Sequence, residues 1–293
     1  MTTNPGPAPI TLPNSEQFYL SNEQGESYLI QISWPLHWQD HNPPSGHDQL
    51  PIIYIVDGNA LFLTATEAAW RRAVWPNFAG GGIVVAIGYP LSGKVYNIPR
   101  RCLDLTPPTA TRVDGYGGAD SFLDFIDKTV KPAVRARFPR LEVSREALYG
   151  HSFGGLFALH ALFTSPQMFD CYVASSPSIW WNGRCILAEA RAFLDGEEVG
   201  GRVPALLMYF GSHEVSPLRW NDEELDHYER RKMDALEWRM GRNALELGEL
   251  LRDCRRLDTV SVSEYRGEDH GSMMACSMSR ALTTFFEEWP LRK

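Results

Sequence analysis

Residues 150–155 read Gly-His-Ser-Phe-Gly-Gly, a serine among small residues where an apolar stretch gives way to a helix-forming one. Gly150-His151-Ser152-Phe153-Gly154 fits G-x-S-x-G, the sharp strand-to-helix turn that holds a serine hydroxyl exposed. Such a hydroxyl attacks well only when it stands near a base and beside free backbone N–H groups. The pattern therefore demands a strand, a turn and a helix in that order. Residues 146–149 are short and mostly apolar, as a buried parallel strand is. Residues 153–163 form an apolar helical run that closes at Thr164-Ser165-Pro166. Two glycines in its first turn weaken a helix, so they mark one packed very close to a sheet.

The rest of the chain supplies that sheet. Residues 17–34 predict an antiparallel hairpin turning near Asn22-Glu23-Gln24-Gly25. Apolar strand candidates follow at 52–56, 83–87, 146–149, 171–175 and 205–210, with a last one at 259–265. Helical segments separate them. One carries the stripe Phe122, Phe125, Ile126, Val130 and Val134, which Pro132 must kink or divide. Alternation of this kind implies an α/β protein with a mostly parallel eight-stranded sheet covered on both faces. An entry hairpin, then parallel strands with the elbow on the fifth, is the plan of the α/β-hydrolase fold. Residues 1–16 are expected to be a flexible arm and 17–293 one domain. The segments 182–203 and 215–257 fall outside the minimal alternation and are candidate caps. Within the second, an amphipathic stretch from Glu223 to Leu257, breaking near Gly241, either covers the active site or merely the sheet.

Composition narrows the partners. A net charge of −8 with no basic cluster argues against nucleic acid. Five scattered cysteines without C-x-x-C fit a reducing compartment better than a disulfide framework. The opening is polar and proline-rich, unlike a secretory signal, and no apolar run approaches membrane-helix length. A cytoplasmic protein with no membrane partner is the expectation.

A serine elbow needs a base and a group that orients it, in the chain order serine, acid, histidine. Of eight histidines, His270 follows the last strand candidate in the polar loop Arg266-Gly267-Glu268-Asp269-His270-Gly271. His160 lies on the helix after the elbow and is expected to be packed. His37, His41 and His47 share a proline-rich loop without carboxylate spacing, a poor metal site. Glu214 is the first carboxylate after the strand at 205–210, with Asp222 and Glu223 as fallbacks. The backbone N–H groups of Phe153 and Asn59 are the candidate oxyanion hole, Gly58 supplying an unusual backbone angle that aims Asn59.

Several stretches together resemble one family. They are Val56-Asp57-Gly58-Asn59, Arg100-Arg101-Cys102-Leu103-Asp104-Leu105-Thr106-Pro107, Gly117-Gly118-Ala119-Asp120, the serine elbow, Ser176-Pro177-Ser178-Ile179-Trp180-Trp181 and Asp269-His270-Gly271. In this order they resemble the esterase-D-like branch of the α/β hydrolases, and within it the intracellular siderophore esterases. The resemblance implies hydrolysis of ester bonds in a ferric cyclic hydroxamate siderophore of the triacetylfusarinine C type. Cutting the ring removes the effective concentration with which linked arms hold iron. Iron then belongs to the substrate, and no metal or other cofactor is implied. Arg101 would contact substrate or else pair with Asp104 to fix its loop, and Trp180 and Trp181 would line the pocket or belong to the core. A general carboxylesterase or thioesterase of the S-formylglutathione hydrolase kind, or an acyltransferase, would use the same machinery.

Overall fold

The computed structural model describes residues 8–43, 49–74, 80–109, 113–197, 201–289 and 291. Its first two strands, β1 (Ser15–Ser21) and β2 (Ser27–Ser33), form the expected hairpin. Ser15 and Glu16 already pair with Ser33 and Ile32, so the sheet starts inside the segment expected to be an arm. Then come β3 (Gln49–Val56), α1 (Gly58–Arg72) and β4 (Ile83–Gly88). Three short helices, α2 (Ile98–Asp104), α3 (Ala119–Phe125) and α4 (Lys131–Arg137), lead to β5 (Glu142–His151) and α5 (Phe153–Thr164). The chain continues through β6 (Cys171–Ser175), α6 (Trp181–Arg184), α7 (Ile186–Leu194) and β7 (Ala205–Gly211). It closes with α8 (Leu225–Trp238), α9 (Met240–Leu251), β8 (Thr259–Tyr265) and α10 (Met273–Glu287).

The strands lie in the order β1-β2-β4-β3-β5-β6-β7-β8. Only β1–β2 and β2–β4 are antiparallel; every later pair is parallel. Parallel strands buried on both faces must be apolar throughout, which is why they appear as short continuous runs. In β3, Ile52, Tyr54 and Val56 join the core on one face, while Ile53 and Ile55 join the core under α1 and α10 on the other. Among the described residues no helix is long and apolar enough to cross a membrane.

Three local readings sharpen or change. The division at Pro132 takes the form of a π-helical turn, Ile126–Val130, between α3 and α4, which widens the coil just before the residue that lacks a donor. The break in the late amphipathic stretch falls at Arg239, which is left-handed at φ 48°, and not at Gly241. Gly241 lies inside α9, where a Cβ would come within 2.6 Å of Phe210 and Val215. The two candidate caps also differ. α7 buries Ile186, Ala190 and Phe193, and α9 buries Leu247 and Leu251 against the sheet core, whereas α8 buries nothing.

Candidate active site

β5 ends at His151 and α5 begins at Phe153, so Ser152 turns the chain alone. It does so at φ 61° and ψ −118°, a conformation costing a non-glycine residue on the order of 1–3 kcal/mol. The turn is so tight that a Cβ at position 150 would lie 1.9 Å from the Gly154 carbonyl oxygen. Backbone bonds to the loop after β6 hold it: Ser152 N–H donates to Ser175 O (3.0 Å), and Ser178 N–H donates to Ser152 O (3.1 Å). The Ser152 hydroxyl lies 3.4 Å from Ser178 Oγ. No hydrogen bond among the described residues joins it to His270.

Glu214 closes a short 3₁₀ turn at the end of β7. Its Oε2 accepts hydrogen bonds from Gly211 N–H (2.7 Å) and from the Ser176 hydroxyl (2.8 Å). That leaves Oε1 for His270 Nδ1, 2.6 Å away. The carboxylate is buried while the imidazole is half-exposed, so one end of the pair is fixed and the other faces solvent. Two bonds tie the acid loop to the histidine loop: His213 N–H to Glu268 O (3.0 Å) and Gly267 N–H to Ser212 Oγ (2.9 Å). Asp222 and Glu223 take no part; Glu223 is bound to His227 and Arg231.

His151 lies under this pair, its ring centroid 4.5 Å from that of His270. Its Nδ1 is 3.1 Å from Ser175 Oγ, which is 2.8 Å from Ser277 Oγ, itself bonded to the Tyr149 hydroxyl at 2.7 Å. Ser277 donates to Met273 O. Burial, with His270 and Arg101 nearby, pushes the His151 pKa well below the usual imidazole range.

α1 and α5 begin at the carboxyl ends of neighbouring strands, β3 and β5, and first-turn N–H groups lack partners within a helix. Asn59 and Phe153 occupy such positions. The left-handed residue is Asp57 (φ 56°) rather than Gly58, whose contribution is space: a Cβ there would lie 2.8 Å from Ile87 N. The Asn59 side chain clamps the Tyr89 backbone through Nδ2–O (2.9 Å) and Oδ1–N (2.7 Å). Arg101 pairs with Asp57, Nη2–Oδ2 2.9 Å and Nε–Oδ1 3.1 Å, and lies 5.5 Å from the Phe153 ring. The expected pairing with Asp104 is not the one found, since Arg100 is the residue beside Asp104.

The two tryptophans separate. Trp181 is buried against Tyr116 in the core. Trp180 is half-buried, faces Phe153 and stacks on Trp238 of α8 (5.3 Å, 15°). A cavity of about 450 Å³ opens beside His270 and Gly271, with Trp220, Arg231, Ala235 and Trp238 as its far wall. A larger groove of about 990 Å³ along β8 and α10 contains none of these residues. His160 is packed, as expected, between Asp120 (2.9 Å) and Glu189 (2.8 Å). Of the poor metal candidates, His41 packs between Trp34 and Phe138 while His47 lies outside the described residues. Sequence reasoning missed Ser176 and Trp238. Ser176 sat in a quoted motif, but no local signal marks a stacking partner such as Trp238.

The sheet order and the elbow after β5 define an α/β hydrolase. The chain belongs to the esterase family, whose model, described as "Putative esterase", matches residues 21–214. It is 64% identical over 288 residues to a siderophore triacetylfusarinine C esterase of Aspergillus fumigatus, covering 98% of each chain. It is 43% identical to a siderophore enterobactin esterase of Emericella nidulans, over 91% of each. Among solved structures it is similar to siderophore hydrolase EstB from Aspergillus nidulans, with TM-score 0.95 and 61% identity over 99% of this chain and 100% of that one.

Proposed function

We propose that the protein hydrolyses the ester bonds of ferric triacetylfusarinine C in the cytoplasm, freeing iron from its cyclic hydroxamate ligand. Ser152 attacks the ester carbonyl while His270 takes its proton. Glu214 holds His270 in the tautomer with Nδ1 protonated and Nε2 free, and stabilises the imidazolium. The N–H groups of Phe153 and Asn59 bind the oxyanion. Arg101 acts on that hole indirectly, by pinning Asp57 at the start of α1. Trp180 faces the substrate, and Trp181 supports it from the core. Water then resolves the acyl-enzyme, and neither a metal nor another cofactor of the protein's own takes part.

The observation that carries this reading is the 2.6 Å Glu214–His270 contact, made by a carboxylate whose other oxygen is already held by two donors. The substrate rests on likeness to the Aspergillus fumigatus esterase across nearly the whole chain. The test is to incubate purified protein with ferric and iron-free triacetylfusarinine C, with enterobactin and with a small activated ester, following products by mass spectrometry. Ring-opened triacetylfusarinine C is expected. Rapid turnover of the small ester with the siderophore left intact sinks the proposal.

A further inference from the structure

α8 has no buried residue, yet one of its faces is organised. Arg231, Asp234, Ala235 and Trp238 recur at helical spacing i, i+3, i+4 and i+7, and all four line the cavity beside His270. A helix that contributes nothing to the core has no packing reason to hold such a face in place. Polar contacts nevertheless fix it at both ends. Glu223 accepts from Arg231 Nε (2.7 Å) and Nη2 (2.8 Å) and from Trp220 N–H (3.0 Å), which lays the guanidinium 3.8 Å over the Trp220 ring. At the other end, Trp238 stacks on Trp180, and its carbonyl accepts from Asn243 Nδ2 (2.9 Å). Pre-organised aromatic surface of this kind binds ligand at low entropic cost.

The position of the cavity says which part of the ligand it takes. In the acylation step, Ser152 Oγ bonds to the acyl carbon, the bond from that carbon to the alcohol oxygen breaks, and the proton on His270 Nε2 passes to the departing oxygen. The alcohol portion must therefore lie beside His270. The cavity is lined by His270, Gly271 and Asp269, and not by Ser152 or Phe153. We propose that it is the alcohol-side subsite, and that Trp238 and Arg231 of α8, with Trp220 from the segment before it, select the alcohol portion of the ester. The proposal rests on the esterase reading of the site but not on the identity of the siderophore.

Two mirrored ester pairs test it: methyl against cyclohexylmethyl acetate, and methyl acetate against methyl cyclohexylacetate. With Trp238→Ala, the kcat/KM ratio of bulky-alcohol to methyl ester should fall tenfold or more, while the acyl-side ratio stays within about twofold of wild type. Ala235→Trp, which narrows the same cavity from the helix, should lower the same ratio. Met233→Ala, on the exposed face of α8, should leave both ratios unchanged. Equal losses on both pairs, or a loss confined to the acyl pair, overturn the assignment. A readout without turnover follows the indole N–H signals during titration with cyclohexylmethanol or cyclohexylacetate. The alcohol should move Trp220 and Trp238, and movement by the acid alone overturns the proposal. Failure of the siderophore reading is separate, because intact triacetylfusarinine C in the wild-type assay leaves these ratios as they are.

Discussion

α5 and α8 both border the site, but they are held in opposite ways. α5 is buried continuously from Gly154 to Phe163, while α8 buries nothing and is fastened by Glu223 at one end and by Trp180 and Asn243 at the other. The serine turn on α5 stores backbone strain, and only a helix sunk in the core can hold it there. Within α8 no residue has a positive φ, and the left-handed Arg239 lies at its end, outside the cavity lining. The difference separates reactivity, tied to the fold's stability, from selectivity, carried by a surface helix that can change without disturbing the core.

Four measurements break or sharpen this contrast. Ser152→Ala should lower turnover by roughly 10⁴–10⁶-fold with thermal unfolding little changed, since alanine keeps a Cβ and with it the strain at φ 61°. Substantial residual hydrolysis in single-turnover assays removes the elbow from the chemistry. Glu214→Gln should cost roughly 10³–10⁴-fold in kcat. The Ser176 hydroxyl and Gly211 N–H both donate to one oxygen, so glutamine turns its carbonyl to them and its NH₂ to His270 Nδ1. His270 must then carry its proton on Nε2, where it cannot act as a base. A nearly unchanged rate means that another group orients the ring.

The third measurement concerns how α5 is anchored. Both His160 nitrogens face carboxylates, which only accept, so the ring is an imidazolium bridging α3, α5 and α7. Burial opposes the charge, but the bonds to Asp120 and Glu189 prevail and raise its pKa to about 9. The unfolded value is near 6.5, so the contribution is complete below that pH and fades as pH rises through about 9. Calorimetry should find on the order of 3 kcal/mol lost across that window in wild type, and little of that dependence in His160→Gln. Equal pH slopes contradict the bridge. The smallest global effect is expected from Glu223→Gln. Bonds from Arg231 hold the Glu223 pKa down to about 2, although burial pulls the other way, so the latch persists at neutral pH and weakens only in acid. Amide exchange should accelerate in α8 alone with the melting temperature unmoved. Faster exchange in α5 as well refutes their independence.

The sequence disclosed most where steric demand leaves no choice. The elbow was legible because a Cβ at Gly150 would collide with the Gly154 carbonyl, and the central strands because burial on both faces forces apolar runs. β5 starts four residues before the candidate at 146–149 because Glu142, Val143, Ser144 and Arg145 are exposed or only partly buried, so pairing with β3 and not an apolar run extends the strand there. His270 and Glu214 could be placed by chain order alone. Arg101 could not be paired correctly, because Asp57 lies 44 positions away and meets it only once β3 and α2 are assembled. The stack of Trp180 on Trp238 joins two segments that share no local signal, and the left-handed break was sought at the nearest glycine instead of Arg239.

Two imidazoles side by side pose a question of which one holds the mobile hydrogen. The Met273 carbonyl, an atom with none to give, answers it from the far end of the hydroxyl row. Ser277 spends its single hydrogen there, so Tyr149 and Ser175 must both point theirs at Ser277. Ser175 is left to receive, and His151 must present N–H at Nδ1. The row works as a one-way ratchet: it locks the inner ring into one neutral tautomer and leaves His270 as the ring free to exchange a proton with the ester.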